Sequence, residues 1–157
     1  MGKSKVHSAG SNLTRAGFLA AGGLAAATLG LPVRAAAAEP SPAEKANLDL
    51  VTAFCASFAG RDMSRISSFL ADACVYRVTE TTPPVSGGDA VARIRNYVER
   101  STKIEFKIHE SWVKGPIVVN ERTDSFVAPD RTNAYHLTGV FFVKDGKIAE
   151  WTDYVIR

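Results

Sequence analysis

The sequence is poor in the side chains that hold metals. Its 157 residues include two cysteines, Cys55 and Cys74, and three histidines, His7, His109 and His136. Their spacing fits no zinc site, so no metal is expected. The cysteines lie in apolar stretches, TAFCASF and ADACVYR. They read as two small buried side chains, with a disulfide as the weaker alternative. Acids are missing from residues 1–38, which carry Lys3, Lys5, Arg15 and Arg34. Removing those four from 19 Lys+Arg leaves 15 against 16 Asp+Glu, so the formal charge of +3 becomes about −1 for the rest. The basic balance belongs to the first segment, and nothing in the remainder argues for nucleic acid. Repeats are absent too, as is any linker after residue 40. The length suits one modest domain with a core of its own.

Residues 1–38 read as an export signal. Basic residues precede the apolar, Ala- and Gly-rich GFLAAGGLAAATLGLPV, and Ala36-Ala37-Ala38 offers small residues for cleavage before Glu39. TRAGFL resembles a twin-arginine signal, with Ala16 where the second Arg would stand. The alternative is an uncleaved anchor, but Ala and Gly make that run a weak span. The expectation is an exported protein, periplasmic or secreted, with no stable membrane insertion after cleavage. Residues 39–157 are expected to form the single functional domain.

Leu50, Val51, Phe54 and Phe58 recur at helical spacing between Pro42 and Gly60. Asp62 is expected to cap a short helix, MSRISSFLA, and Asp89 to begin a third, AVARIRNYVERS. CVYRV, residues 74–78, reads as a short strand, and ETTPPVSGG as a loop. From residue 103 the period becomes two: Ile104, Phe106 and Ile108 alternate with Glu105, Lys107 and His109. GPIVVNERTDSFVA, AYHLTGVFFV and KIAEWTDYVI follow, separated by APDRTN and by the hairpin signal KDGK. Three helices and then an antiparallel meander define an α+β class. Helices on the concave face of a long curved, mostly antiparallel sheet enclose a cone with a pocket inside.

NERTDSF, residues 120–126, breaks the apolar alternation. Glu121, Thr123 and Ser125 share one face, and Arg122, Asp124 and Phe126 the other. On the last strand Trp151, Asp153 and Val155 share a face. If both strands send these residues inward, an arginine stands between two carboxylates. A lone buried carboxylate is costly, and the guanidinium fork offsets that cost for two at once. Two acids and one base also share a proton, giving a general acid and a general base. The competing readings are a structural ion-pair network and a solvated outer face.

VVNERTDSF, TGVFFVKDGKIAEWTDYV and VYR…PP…GGDAV resemble the limonene-1,2-epoxide hydrolase family, within the SnoaL-like and nuclear-transport-factor-2-like cone folds. The likeness runs from about residue 44 to 157. It implies one-step hydrolysis of a small apolar epoxide to a vicinal diol, without metal or organic cofactor. By the same resemblance Asp153 is the base on water, Asp124 the acid on the epoxide oxygen, Arg122 the bridge between them, and Tyr76 a water ligand. The family has Asn two residues after that Tyr, where this chain has Val78, and Thr79 is the nearest substitute. Phe126, Tyr135, Leu137, Phe141 and Trp151 are expected to line the cone against the substrate, and His109 and His136 to face away. The resemblance implies a homodimer formed through the outer sheet face, which fits the doubly apolar GVFFV. Rival readings on the same cone are a ketosteroid-isomerase-like or cyclase-like proton shuttle, and a non-catalytic module binding a small apolar ligand.

Overall fold

A computed structural model describes residues 39–156. The export signal, its cleavage point and the twin-arginine likeness fall outside the described residues. Helix α1, Pro42–Ser57, starts at a capping box: Glu44 N–H donates to Ser41 Oγ, and Ser41 N–H to the Glu44 carboxylate. Pro42 occupies the first turn, where its missing N–H costs nothing. Val51, Phe54, Cys55 and Phe58 form its buried stripe, which runs on into a 3-10 turn at Phe58–Gly60. Helix α2 is short, Met63–Ser68, and capped by Asp62 through the N–H groups of Ser64 and Arg65. Helix α3, Gly88–Arg100, buries Ala90, Ile94 and Val98 at four-residue intervals.

Among the described residues six strands make one sheet: β1 Leu70–Arg77, β2 Val85–Ser86, β3 Lys103–Lys114, β4 Ile117–Ala128, β5 Arg131–Lys144 and β6 Lys147–Val155. Their order is β2-β1-β6-β5-β4-β3. Only β1 against β6 is parallel. Asp145 and Gly146, both at positive φ, form the tight turn that joins β5 to β6. The fold is the α+β cone, with the three helices over one sheet face.

Several boundaries differ from the sequence expectation. Phe69 ends α2, and Leu70 and Ala71 open β1 instead of extending the helix. Pairing with β6 across a register irregularity decides their conformation. Val85–Ser86 form a short strand inside the expected loop. Arg131, Thr132 and Asn133 belong to β5, not to a turn, because Ala128 already pairs with Arg131. A bulge between Ile108 and Glu110 reverses the alternation of β3 and turns Trp112 onto the outer face, opposite Val119.

Both cysteines are buried and free. On the outer face His136 Nε2 lies 2.7 Å from Glu121 Oε1, and His109 Nε2 lies 2.9 Å from Thr123 Oγ1.

Candidate active site

The inner face of β4 carries Val118, Asn120, Arg122 and Asp124, all buried, as strict alternation requires. The inner face of β6 carries Trp151 and Asp153. Between them runs β5, so Arg122 must cross a whole strand to meet Asp153. Neighbouring strands lie about 4.8 Å apart, which makes the span between β4 and β6 roughly 9–10 Å. Gly139 makes the crossing possible. It is the β5 residue opposite both Asn120 and Asp153. A Cβ there would overlap Arg122 Nη1 and lie 2.8 Å from the Phe141 ring.

Arg122 is fully buried, and Asp124 and Asp153 are 3% and 4% exposed. The guanidinium holds Asp124 in a fork, with Nε 2.8 Å from Oδ1 and Nη2 3.1 Å from Oδ2. Nη2 also donates to Asp153 Oδ1 at 2.7 Å, and Nη1 to Asn120 Oδ1 at 2.8 Å. Trp151 Nε1 donates a second 2.7 Å bond to Asp153 Oδ1. Both donors to Asp153 thus converge on one oxygen, leaving Oδ2 for the cavity that the residue lines. Asn120 Nδ2 in turn donates to Cys55 Sγ at 3.6 Å, which ties the cluster to α1. The rings of Phe106, Phe141 and Trp151 stand 5.2, 5.6 and 5.7 Å from the guanidinium carbon.

Burial dominates the electrostatics. It raises Asp124 to about 7, against the pull of the Arg122 charge and hydrogen bonds. It also raises Asp153, again opposed by Arg122 and by the Trp151 N–H. Burial works against the Arg122 charge, but Asp153 and Asp124 outweigh it, so the guanidinium stays protonated. The Tyr76 hydroxyl is held neutral, chiefly by burial and then by Asp153. The cluster is therefore a fixed cation with two carboxylates whose proton affinities burial has raised, that of Asp124 to about 7.

A cavity of about 380 Å³ opens over this cluster. Asp124, Asp153, Tyr76, Trp151, Phe126, Tyr135 and Leu137 all line it. Tyr76 stacks on Trp151 with ring centroids 4.3 Å apart. Phe141 was expected in the lining but lies elsewhere. It has the right strand face but sits at the closed end, stacked on Trp151 and covered by Phe54 of α1. Val78 and Thr79 border the cavity, while Thr79 Oγ1 stands 2.7 Å from Thr82 Oγ1 within its own loop.

Sequence reasoning missed Asn120, Gly139, Phe106 and Cys55. For Asn120 the signal was present: it stands two residues before Arg122 and so shares its face. Gly139 carried no such signal, because its role is visible only once β4, β5 and β6 are in register.

Residues 45–156 match the family described as the limonene-1,2-epoxide hydrolase catalytic domain. Epoxide hydrolase EphG of Mycobacterium tuberculosis is 30% identical over 104 residues, 66% of this chain and 69% of that protein. The solved structure of an M. tuberculosis LEH-like epoxide hydrolase aligns with TM-score 0.66 and 28% identity, covering 73% of this chain and 86% of that one. A SnoaL-like polyketide cyclase from Jannaschia sp. CCS1 aligns with TM-score 0.64 at 14% identity, covering 76% of this chain and 91% of that one, a likeness of fold alone. On the strength of the family match, which spans nearly the whole of the described chain, this protein belongs to the limonene-1,2-epoxide hydrolase family.

Proposed function

We propose that the protein adds water to a small apolar epoxide and releases a vicinal diol in one step. The observation that carries this reading is the buried guanidinium bonded at once to Asp124 and Asp153. Asp153 is the base. Its Oδ1 takes two 2.7 Å bonds, one from a cation, which favours the ionised form. Asp124, which burial raises to about 7 against the pull of the guanidinium, holds the shared proton.

A water between Asp153 Oδ2 and the Tyr76 hydroxyl attacks one oxirane carbon. The new C–O bond forms as the ring C–O bond breaks. The water proton passes to Asp153, and the Asp124 proton passes to the departing ring oxygen, giving the second hydroxyl. Exchange with solvent then removes the proton from Asp153 and returns one to Asp124. Arg122 fixes the spacing of the two acids throughout.

Positioned acids and bases contribute about 10²–10⁴-fold each. Asp124→Asn and Asp153→Asn should each lose activity on that scale, and diol formation retained by either variant refutes the assignment. Labelled water oxygen in the product separates hydrolysis from isomerisation. Export of the domain and its pairing through the outer sheet face belong to the same proposal. The exposed Trp112, Ile117 and Tyr154 support pairing, and the mass of the mature protein in solution tests it.

A further inference from the structure

The cavity has two unlike ends. At its floor stand Asp124 and Asp153, and its middle is walled by apolar and aromatic side chains such as Ile94, Phe126 and Leu137. At the mouth the lining includes Arg100 and Arg131, from different elements, with Asn133 beside them. Arg131 belongs to the inward-facing set of β5: it pairs with Ala128, as Asn133 does with Phe126 and Tyr135 with Asp124. Four residues separate Tyr135 from Arg131, roughly 13 Å of strand. Among the described residues the lining has no carboxylate besides the two at the floor. Asp130 lies 3.9 Å from Arg131, but both are mostly exposed, so this pair does little to satisfy the cation. Arg100, in the last turn of α3, also suits the helix dipole. No helix end accounts for Arg131.

We propose that Arg100 and Arg131 form an anion subsite, and that the substrate is an amphiphilic epoxide with a carboxylate at its far end. The apolar wall takes the chain between the two groups. This inference rests on the epoxide-hydrolase reading for the reacting end, but the subsite can be tested separately. Both arginines are open to solvent, so the preference is modest, about three- to tenfold, and falls as salt screens it.

The experiment compares kcat/KM for 10,11-epoxyundecanoate with that for its methyl ester. Calorimetric binding of decanoate is compared with that of 1-decanol. The acid should be favoured three- to tenfold at low salt, and decanoate should bind more tightly by a similar factor. Arg131→Glu should bring both ratios to one or below, and Arg100→Gln should reduce them. Equal kcat/KM for acid and ester, with equal binding of decanoate and decanol, overturns the subsite while leaving the hydrolytic reading intact. If neither epoxide is opened, a carboxylated chain epoxide is overturned as the substrate. The binding comparison then decides: a decanoate preference lost in Arg131→Glu upholds the subsite, and equal binding overturns it.

Discussion

Gly139→Ala isolates the geometry on which the site depends. Gly139 has no positive φ, so alanine meets no backbone strain there. On chain entropy alone such a change stabilises by about 0.4–1 kcal/mol. The structure predicts the opposite sign. The added methyl overlaps Arg122 Nη1 and stands 3.0 Å from Asn120 Oδ1. The guanidinium must retreat by roughly 1–1.5 Å to regain ordinary contact. It has no free direction, because Asp124, Asp153 and Asn120 hold it at 2.7–3.1 Å and the rings of Phe106, Phe141 and Trp151 surround it. Overpacking costs about 1–3 kcal/mol, and parting one member of a buried ion pair costs about 3–5 kcal/mol. A net loss of about 3–5 kcal/mol is expected, and each kcal/mol lowers the Tm of a domain this size by roughly 3–6 °C. Thermal unfolding followed by circular dichroism should therefore show a fall of roughly 10–30 °C. Gly88→Ala is the control, since no atom lies within 4 Å of its Cβ position and its φ is not positive. A Gly139→Ala protein as stable as the wild type, or more so, would refute the crossing of β5 by Arg122.

Four further outcomes concern the same site. Burial raises Asp124 from 3.8 to about 7, so the folded state binds the extra proton between those values. Stability contributed by this group is complete below pH 4, falls as pH rises through 7, and is level above, on the order of 4 kcal/mol in all. Denaturant titrations at several pH values should show this slope, and Asp124→Asn should flatten it. The same deprotonation removes the proposed acid, so kcat/KM should decline on the alkaline side with an apparent pKa near 7, and a flat profile to pH 9 would exclude Asp124 from that role. Asn120→Ala leaves Arg122 Nη1 without its acceptor and should cost about 1–3 kcal/mol in unfolding measurements, with no loss if water replaces the amide freely. Val78→Asn supplies another polar group beside the cavity; one more hydrogen bond to the attacking water, worth about 1 kcal/mol, should raise kcat about fivefold, and an unchanged rate would show that the water is not approached from that side.

The inward set Arg122, Asp124 and Asp153 was legible because a strand has period two and few charges fall on an otherwise apolar face. Alternation along one strand also makes Asn120 legible. What alternation cannot give is the relation between strands that do not touch. The meeting of β4 with β6 depends on the register of β5, and on a glycine whose contribution is the side chain it lacks. Phe141 shows the same limit from the other side. Its face was read correctly, but its depth was not, because Phe54 of α1 closes that end of the cone and the strand pattern carries no record of it. At Leu70 and Ala71 local preference was too weak to separate helix from strand, and the pairing of Leu70 with Ile148 of β6 decided.

A buried arginine with two carboxylates is a poor way to stabilise a core. Apolar side chains of equal volume often do as well or better, because charges leave water at a cost their attraction only partly returns. Stability alone therefore does not account for Arg122, Asp124 and Asp153. Their position does. Both carboxylates reach the lining of a cavity, while the guanidinium and Asn120 lie behind them, fully buried. A purely structural network has no reason to present its acids to an open space and hide its base. Acid–base chemistry on a bound molecule needs that order: two carboxylates in front, with raised proton affinity and fixed separation, and a cation behind that cannot leave and cannot lose its charge.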